Sequence, residues 1–366
     1  MTSSVGELRE RSTGSRYVSL DGLRGVAAFT VMFHHFFFMY DLPRPWYLTP
    51  LLAGEQAVLL FFVLSGFVLS LPFWNKGTLG SYKSYLARRF FRIYVPLFFA
   101  RIVALIGDYF WGRGHLPLGG WYYMTWQDKV TPRFAFVQLL FGTSAHLNTA
   151  FWSLRYELVI SILFPALLFL LYRLKLAGSL VLMVALYAVG AGLHLFVHGD
   201  FFLYQETMRF GSMFVLGALL ARQREQLKNA LNRSGMAAKS SLLVVALLLF
   251  WGTFDHYLKP PTLAFVQEPL LVLGSAGLIV LCLSMSQFRK FFEMRVPEYL
   301  GRISYSLYLL HGTVLFALTN LLYGKLNLLE IFVPYVLLSF GMAHVFCRVI
   351  EEPALRLGKR VGARLT

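Results

Sequence analysis

The chain has 366 residues, of which 57% are hydrophobic and only 14% charged, and its mean hydropathy is +0.60. Soluble domains carry about 25% charged residues, so this composition nearly excludes a water-soluble globular fold. The net charge of +16, combined with long apolar runs and 17% aromatic residues, favours positive charge held on one side of a bilayer over nucleic-acid binding. Cys282 and Cys347 lie in apolar runs and offer neither a disulfide framework nor zinc-ligand spacing.

Ten apolar segments are long enough to cross a membrane, since a crossing helix needs about 20 mostly apolar residues. They are residues 18–40, 50–73, 90–110, 150–172, 178–197, 205–221, 241–257, 263–286, 303–322 and 329–350. The segments at 205 and 241 are the shortest. We therefore predict an all-α, polytopic integral membrane protein with ten transmembrane helices.

The distribution of basic residues predicts the orientation of these spans. With the N-terminus inside, most of the 34 Lys and Arg residues fall in cytoplasmic segments, as membrane proteins require. The exceptions are Arg44, Arg113, Lys129, Arg133, Lys259 and Lys325 outside, and Arg24, Arg101, Arg155 and Arg209 within spans. We predict a cytoplasmic N-terminal segment (1–17), a membrane domain (18–350) and a basic cytoplasmic tail (351–366).

One predicted extracytoplasmic segment, 111–149, is long and rich in Trp, Tyr and Gly. Within it, residues 133–143 have the pattern of a short amphipathic or re-entrant piece. Such a segment can form a lid over a site, or it can be an ordinary aromatic belt at the membrane surface.

The first span carries a polar stripe. At 100° per residue, Arg24 lies about 60° from Asp21, and His35 falls within about 20° of Arg24 and about 16 Å further along the axis. His34 is rotated away by about 100°. Ionisable groups inside a span face the bundle or a water-filled cavity, and a neutral imidazole there can act as a general base. The alternative is a hydrogen-bonded, inert histidine pair at the membrane interface.

Two arginines open the third span on the predicted cytoplasmic side. Arg89 and Arg92 are spaced i,i+3 and so share a helix face. Arginine suits bidentate recognition of phosphate. The alternative is that both residues merely retain the helix end on the cytoplasmic side.

The fourth span opens on the outer side with Trp152, Arg155 and Glu157. Arg155 and Glu157 are i,i+2 and cannot pair face to face, so Glu157 needs another partner, such as Arg209 or a bound ligand. A buried structural ion pair and a functional acid both remain open.

Two further spans carry weaker candidates. Ser65 precedes Gly66, which permits close backbone approach to a helix or a ligand. In the ninth span, Tyr308 and His311 share a face, which makes His311 a second catalytic candidate or a hydrogen-bonded core histidine. The chain has no Gly-rich nucleotide loop, no zinc-ligand pair and no nucleophile elbow, so we predict no metal and no permanently bound cofactor.

In its motifs and their order the sequence resembles the acyltransferase family 3 integral membrane proteins, bacterial enzymes that acylate sugars. The resemblance runs from Tyr17 to about Leu357. The motifs that carry it are residues 20–25 followed by the histidines, then 61–67, 88–96, 151–157, 303–311 and 350–353. Leu158 stands where many members have a second acidic or polar residue.

The resemblance implies roles for particular residues. Arg24 and His35 match the arginine and essential histidine of the family's first span, and Arg89 and Arg92 match its cytoplasmic Arg-x-x-Arg, which contacts acyl-CoA phosphates. The catalytic candidates are therefore His35, Asp21 and Glu157; the donor-binding candidates are Arg24, Arg89, Arg92, Ser65 and Gly66; the substrate-binding candidates are Trp152, Arg155, Tyr305 and His311.

The resemblance further implies an O-acyltransferase of the bacterial inner membrane. Its donor would be acyl-CoA, with acetyl as the family default, and its acceptor a sugar or glycoconjugate hydroxyl. His35 would act as the base or accept the acyl group itself. The competing class is a carrier that flips a glycan or lipid without chemistry, which ten spans and intramembrane charges also suit. A membrane-bound acyltransferase of the other large family expects a differently arranged Asn/His pair, which is not found.

Overall fold

A computed structural model describes residues 17–78, 80–112, 114–140, 146–196, 202–252 and 261–365. This part of the chain is helical apart from loops, single turns and one isolated bridge between Tyr323 and Leu326. The helices are α1 (Val18–Met39), α2 (Gly54–Lys76), α3 (Tyr82–Trp111), α4 (Pro132–Leu140), α5 (Trp152–Arg173), α6 (Leu176–Phe196), α7 (Phe202–Arg233), α8 (Met236–Trp251), α9 (Pro261–Ser284), α10 (Ser286–Phe292), α11 (Arg295–Leu322), α12 (Leu328–Phe346) and α13 (Glu352–Arg364).

A helix lies at each of the ten predicted spans, which confirms the all-helical prediction for the described residues. Among the described residues, seven helical stretches are long and apolar enough to cross a membrane. These stretches correspond to α2, α3, α5, α6, the part of α9 from Gln267 onward, α11, and α12 together with the helical residues that follow it to Arg364. The helices α1, α7 and α8 fall outside that set, so the number of crossings and the orientation of the termini stay predictions.

Two predicted segments differ from the helices observed. The span 205–221 is part of a 32-residue helix, α7, which continues through a charged stretch to Arg233. Within the predicted basic tail 351–366, Glu352–Arg364 forms the amphipathic helix α13, which was not predicted. Some predictions concern residues that the structure does not describe. These are residues 1–16, Arg113, 141–145, Val197, 253–257 and Lys259.

The helix α11 lies at the centre of the bundle and runs parallel to α1. A Cβ atom at Gly25 would collide with the backbone nitrogen of Gly301, so the two glycines let these helices approach closely. A second close approach joins α2 to α7, where a Cβ atom at Gly66 would collide with the carbonyl oxygen of Phe214. Packing at backbone distance fixes the rotation of each helix, and so the direction of its polar side chains.

The bundle has two distinct ends. At the basic end lie the first turns of α1, α3 and α11, together with α13, whose Gly358 packs on the Phe91 side chain and whose Gly362 carbonyl accepts a hydrogen bond from Ser84 (2.6 Å). At the loop end lie the last turns of α1 and α11 and the segment that joins α3 to α5. This segment is anchored by Trp126, whose ring is buried and whose Nε1 donates to the Leu147 carbonyl (2.9 Å).

Candidate functional site

A cavity of about 530 Å³ opens at the basic end of the bundle. Its wall is built from α1, α2, α3, α5, α11, α13 and the π-helical turn Cys347–Glu351. It brings together seven of the predicted site residues: Asp21, Arg24, Ser65, Arg89, Arg92, Glu157 and Tyr305. The sequence motifs of five separate helices therefore converge on one space.

Two of the arginines in this wall are paired with carboxylates. Arg24 Nη1 lies 3.2 Å from Asp21 Oδ1, one turn back on α1. Arg89 Nη2 lies 3.9 Å from Glu157 Oε1, which also accepts a hydrogen bond from Ser65 Oγ (3.3 Å). The side chains of Arg89 and Glu157 are 11% and 22% exposed, so this pair lies deep in the wall.

Arg209 is not the partner of Glu157. Its Nη2 lies 2.6 Å from Glu206 Oε2, and its Nε lies 3.3 Å from Glu268 Oε2. The suggested Glu157–Arg209 pair is therefore wrong. The two residues lie on helices whose rotation is fixed by other contacts, and Arg89 reaches Glu157 from α3 instead.

The two candidate histidines form a hydrogen-bonded pair. His35 Nδ1 lies 2.8 Å from His311 Nε2, and His311 Nδ1 lies 2.9 Å from the Leu307 carbonyl oxygen. A carbonyl only accepts, so Nδ1 of His311 carries a proton and its Nε2 is the acceptor in the neutral ring. His35 Nδ1 must then donate to His311. This assignment leaves Nε2 of neutral His35 as the unprotonated nitrogen.

The histidine pair is enclosed by protein at the loop end of the bundle. His311 is fully buried and His35 is half-buried. The ring of Trp121, in the segment after α3, lies 5.2 Å from that of His35 and stacks on Phe316. An aromatic side chain of the segment that joins α3 to α5 thus covers the imidazole.

Tyr308 lies between the cavity and the histidine pair. It lines the cavity one helical turn before His311, and the two rings are 6.0 Å apart. Its hydroxyl hydrogen-bonds with Ser153 Oγ (2.7 Å), and its ring meets that of Phe61 edge-on. The histidines themselves do not line the cavity, so a substrate in the cavity reaches them only past this layer of side chains.

Three other candidates, Gly66, Trp152 and Arg155, lie outside the cavity wall, as does His34, which was not a candidate. Gly66 packs on the backbone of α7, which favours the helix-packing interpretation over a donor contact. Trp152 packs near the rings of Tyr156 and Phe210, and Arg155 does not face the cavity. His34 does not take part in the His35–His311 hydrogen bond. Its Nδ1 lies 2.6 Å from the Leu52 carbonyl oxygen instead.

Several cavity residues were not singled out from the sequence, and three of them are Arg302, Lys359 and Glu351. Arg302 and Lys359 counted only as charges that set orientation, and Glu351 belongs to a quoted terminal motif that received no role. Glu351 accepts a 2.6 Å hydrogen bond from Ser306 Oγ. Its position in that motif, directly after an apolar span, is the signal that could have identified it.

A family model described as "Acyltransferase domain" (Acyl_transf_3) matches residues 17–351. The chain belongs to this acyltransferase family. Searches of curated proteins and of solved structures found no match. The protein is therefore a membrane acyltransferase, and the match covers every helix that lines the cavity except α13. In this acyltransferase the cavity and the histidine pair both bring buried polar groups together with residues of the motifs quoted above.

Proposed function

We propose that the protein is an O-acyltransferase that moves an acyl group, acetyl by default, from acyl-CoA to a hydroxyl of a sugar or glycoconjugate at the bacterial inner membrane. The observation that carries this proposal is the His35–His311 pair, held one helical turn beyond a basic cavity. A base at the loop end and a cationic cavity at the basic end suit two substrates that arrive from opposite sides.

The donor enters the cavity from the cytoplasm. Its phosphates stay among the cavity's arginines, as the family's Arg-x-x-Arg predicts for Arg89 and Arg92. Its pantetheine arm extends along Tyr305 and Tyr308 toward the histidine pair. This path requires the Tyr308 ring to move aside, and a single rotation of the Tyr308 side chain would break its hydrogen bond with Ser153.

His35 acts as the general base. Its Nε2 takes the proton of the acceptor hydroxyl while that oxygen attacks the thioester carbonyl carbon. The carbon–sulfur bond then breaks, and the departing CoA thiolate takes the proton back from the imidazolium. His311 holds the ring in the required tautomer, since its Nε2 accepts from His35 Nδ1. General base catalysis of this kind contributes about 10²–10⁴-fold.

The proposal is tested by His35→Ala in membranes supplied with labelled acetyl-CoA and the cell-surface glycan fraction. We expect transfer to fall by about 10²–10⁴-fold with unchanged amounts of folded protein. His34→Ala is the matched control, because His34 is the adjacent ring on α1 but contacts Leu52 instead. Full transfer by His35→Ala contradicts the proposal. Absence of transfer by the purified wild-type protein, with glycan movement across vesicles instead, would favour a carrier.

A further inference from the structure

The wall of the cavity contains more cations than its carboxylates can balance. Five basic side chains line it: Arg24, Arg89, Arg92, Arg302 and Lys359. Four carboxylates line it too, and each has a partner of its own. Asp21 pairs with Arg24, Glu157 pairs with Arg89, Glu351 accepts from Ser306, and Glu352 lies 3.5 Å from Arg348, which faces outward from the cavity.

Three of the five cations form no ion pair in the described part of the chain, although Glu351, whose hydrogen-bond partner is neutral, also faces the cavity. Within the described residues, Arg92, Arg302 and Lys359 have no carboxylate within ion-pair distance. They come from three separate helices, α3, α11 and α13, yet face one cavity. Retention of positive charge on one side of a membrane requires only that basic residues lie on that side. It gives no reason for three of them to converge, so a polyanionic ligand is the better explanation.

These three cations and Arg89 lie at different depths in the cavity. Arg302 and Lys359 are exposed, Arg92 is half-buried, and Arg89 lies deepest, beside Glu157. A cavity of about 530 Å³ accommodates a slender arm rather than an arm together with a bulky nucleotide. The charged end of a long ligand would therefore remain at the mouth, where the unbalanced cations are. Arginine and lysine are the residues that bind phosphate oxygens there.

We propose that Arg92, Arg302 and Lys359 bind the phosphate groups of the nucleotide end of coenzyme A, a diphosphate and a 3′-phosphate, and that Arg89 instead positions Glu157. The assignment rests on the proposed function, because that function supplies the coenzyme A donor. It moves the phosphate contacts from the Arg89–Arg92 pair to a triad that includes the C-terminal helix. It also gives α13 a role in donor recognition.

The experiment measures the affinity of the purified full-length protein in detergent for CoA and for dephospho-CoA, by calorimetry. Arg92→Gln, Arg302→Gln and Lys359→Gln are each expected to weaken CoA binding about tenfold or more, since hydrogen bonds to charged groups contribute about 1.5–3 kcal/mol. Arg302→Lys should keep most of the affinity. The double variant of Arg302→Gln with Lys359→Gln should lose the preference for CoA over dephospho-CoA.

Arg360→Gln is the matched control. Arg360 follows Lys359 on α13 and is exposed, but it does not line the cavity. Arg360→Gln lowers the charge of α13 by the same amount as Lys359→Gln. An effect of this charge on the orientation of the protein in the membrane would therefore appear in both variants. Equal CoA affinities in the wild type, the three single variants and the control would overturn the triad and leave the acyltransferase proposal standing. A wild-type protein that neither binds CoA nor transfers its acyl group would overturn the donor itself.

Discussion

Two buried polar clusters of this bundle differ in how their charges are balanced. The first lies between α6, α7 and α9, where Arg209 contacts Glu206 and Glu268. The Tyr187 hydroxyl lies within hydrogen-bond distance of Glu268 Oε2 (3.0 Å) and the Phe265 carbonyl (2.7 Å). We call it the closed cluster. The second is the cavity at the basic end, where cations exceed the carboxylates available to them.

The way in which charges are paired in each cluster distinguishes polar groups that hold helices together from polar groups that are available to a ligand. In the closed cluster the arginine and both carboxylates pair with one another between the helices. In the cavity the unbalanced groups face open space. Cations that face a cavity without an ion-pair partner are available to a ligand, whereas charges that pair with one another between helices indicate helix packing.

The largest expected effect is in the closed cluster. Arg209→Leu removes the cation that two carboxylates share, and breaking a buried pair in this way costs about 3–5 kcal/mol. We expect the thermal stability of the detergent-solubilised protein to fall sharply, while transfer per folded molecule stays unchanged. Arg209→Lys keeps the charge and should lose less stability. Reduced transfer by a fully stable Arg209→Leu protein would place the closed cluster in the active site.

The next effect concerns the histidine pair. His311→Leu removes the acceptor for His35 Nδ1, so the ring can take either tautomer and loses the neighbour that stabilises its protonated form. We expect transfer to fall about tenfold to a hundredfold, from a hydrogen bond to a charged group of about 1.5–3 kcal/mol. His311→Gln retains an acceptor oxygen and should restore part of the rate.

The measurement for these two variants is the rate of acetyl transfer at saturating donor, with CoA affinity as a second readout. A positioning role lowers the rate and leaves the CoA affinity intact, because neither histidine lines the cavity. Equal rates for His311→Leu and the wild type would make the pair a purely structural contact.

The positions of the helices were predictable because length and apolarity alone determine whether a segment can span a bilayer. The end of α7 at Arg233 was not predictable in that way. Beyond the membrane a helix continues according to helix propensity and contacts, which hydropathy does not report. For the same reason the helix in the tail was missed, although its glycines pack directly on α3.

The site was predictable within helices and much less so between them. The angular projection of α1 placed Asp21, Arg24 and His35 on one stripe, since helical periodicity is a local property. The pairing of His35 with His311, however, joins residues 276 positions apart. The recruitment of Lys359 to the cavity likewise brings a residue of the C-terminal helix beside residues of α1, α2 and α3. Both depend on how closely the helices approach, which glycines such as Gly25 and Gly301 determine.

The next prediction concerns the packing of α2 against α7 beside the cavity. Gly66→Ala puts a methyl group against the backbone of α7, and overpacking of this kind costs about 1–3 kcal/mol. We expect a lower melting temperature with CoA affinity unchanged. Gly211→Ala is the control, because a Cβ atom there meets nothing within 4 Å. A stable Gly66→Ala protein with weakened CoA binding would instead make Gly66 a donor contact.

The smallest expected effect lies in the segment that covers His35. Burial raises the pKa of Tyr122 to about 12, so its hydroxyl stays protonated at neutral pH and can donate to the Gly114 carbonyl (2.7 Å) or to Asn320 Oδ1 (2.6 Å). Tyr122→Phe removes that donor at a cost of about 0.5–1.5 kcal/mol. We expect faster hydrogen–deuterium exchange in residues 114–124 and little change elsewhere in the bundle.

This variant also distinguishes a lid from an aromatic belt. Trp121 precedes Tyr122 and covers the His35 ring, so loosening the segment should admit water to the base and lower transfer by a few-fold, less than about tenfold. Tyr123→Phe is the control, because Tyr123 is exposed and its hydroxyl donates to the Leu116 carbonyl of the same segment (2.7 Å). Faster exchange without any loss of transfer would identify the segment as a belt, since a lid cannot loosen without affecting the reaction beneath it.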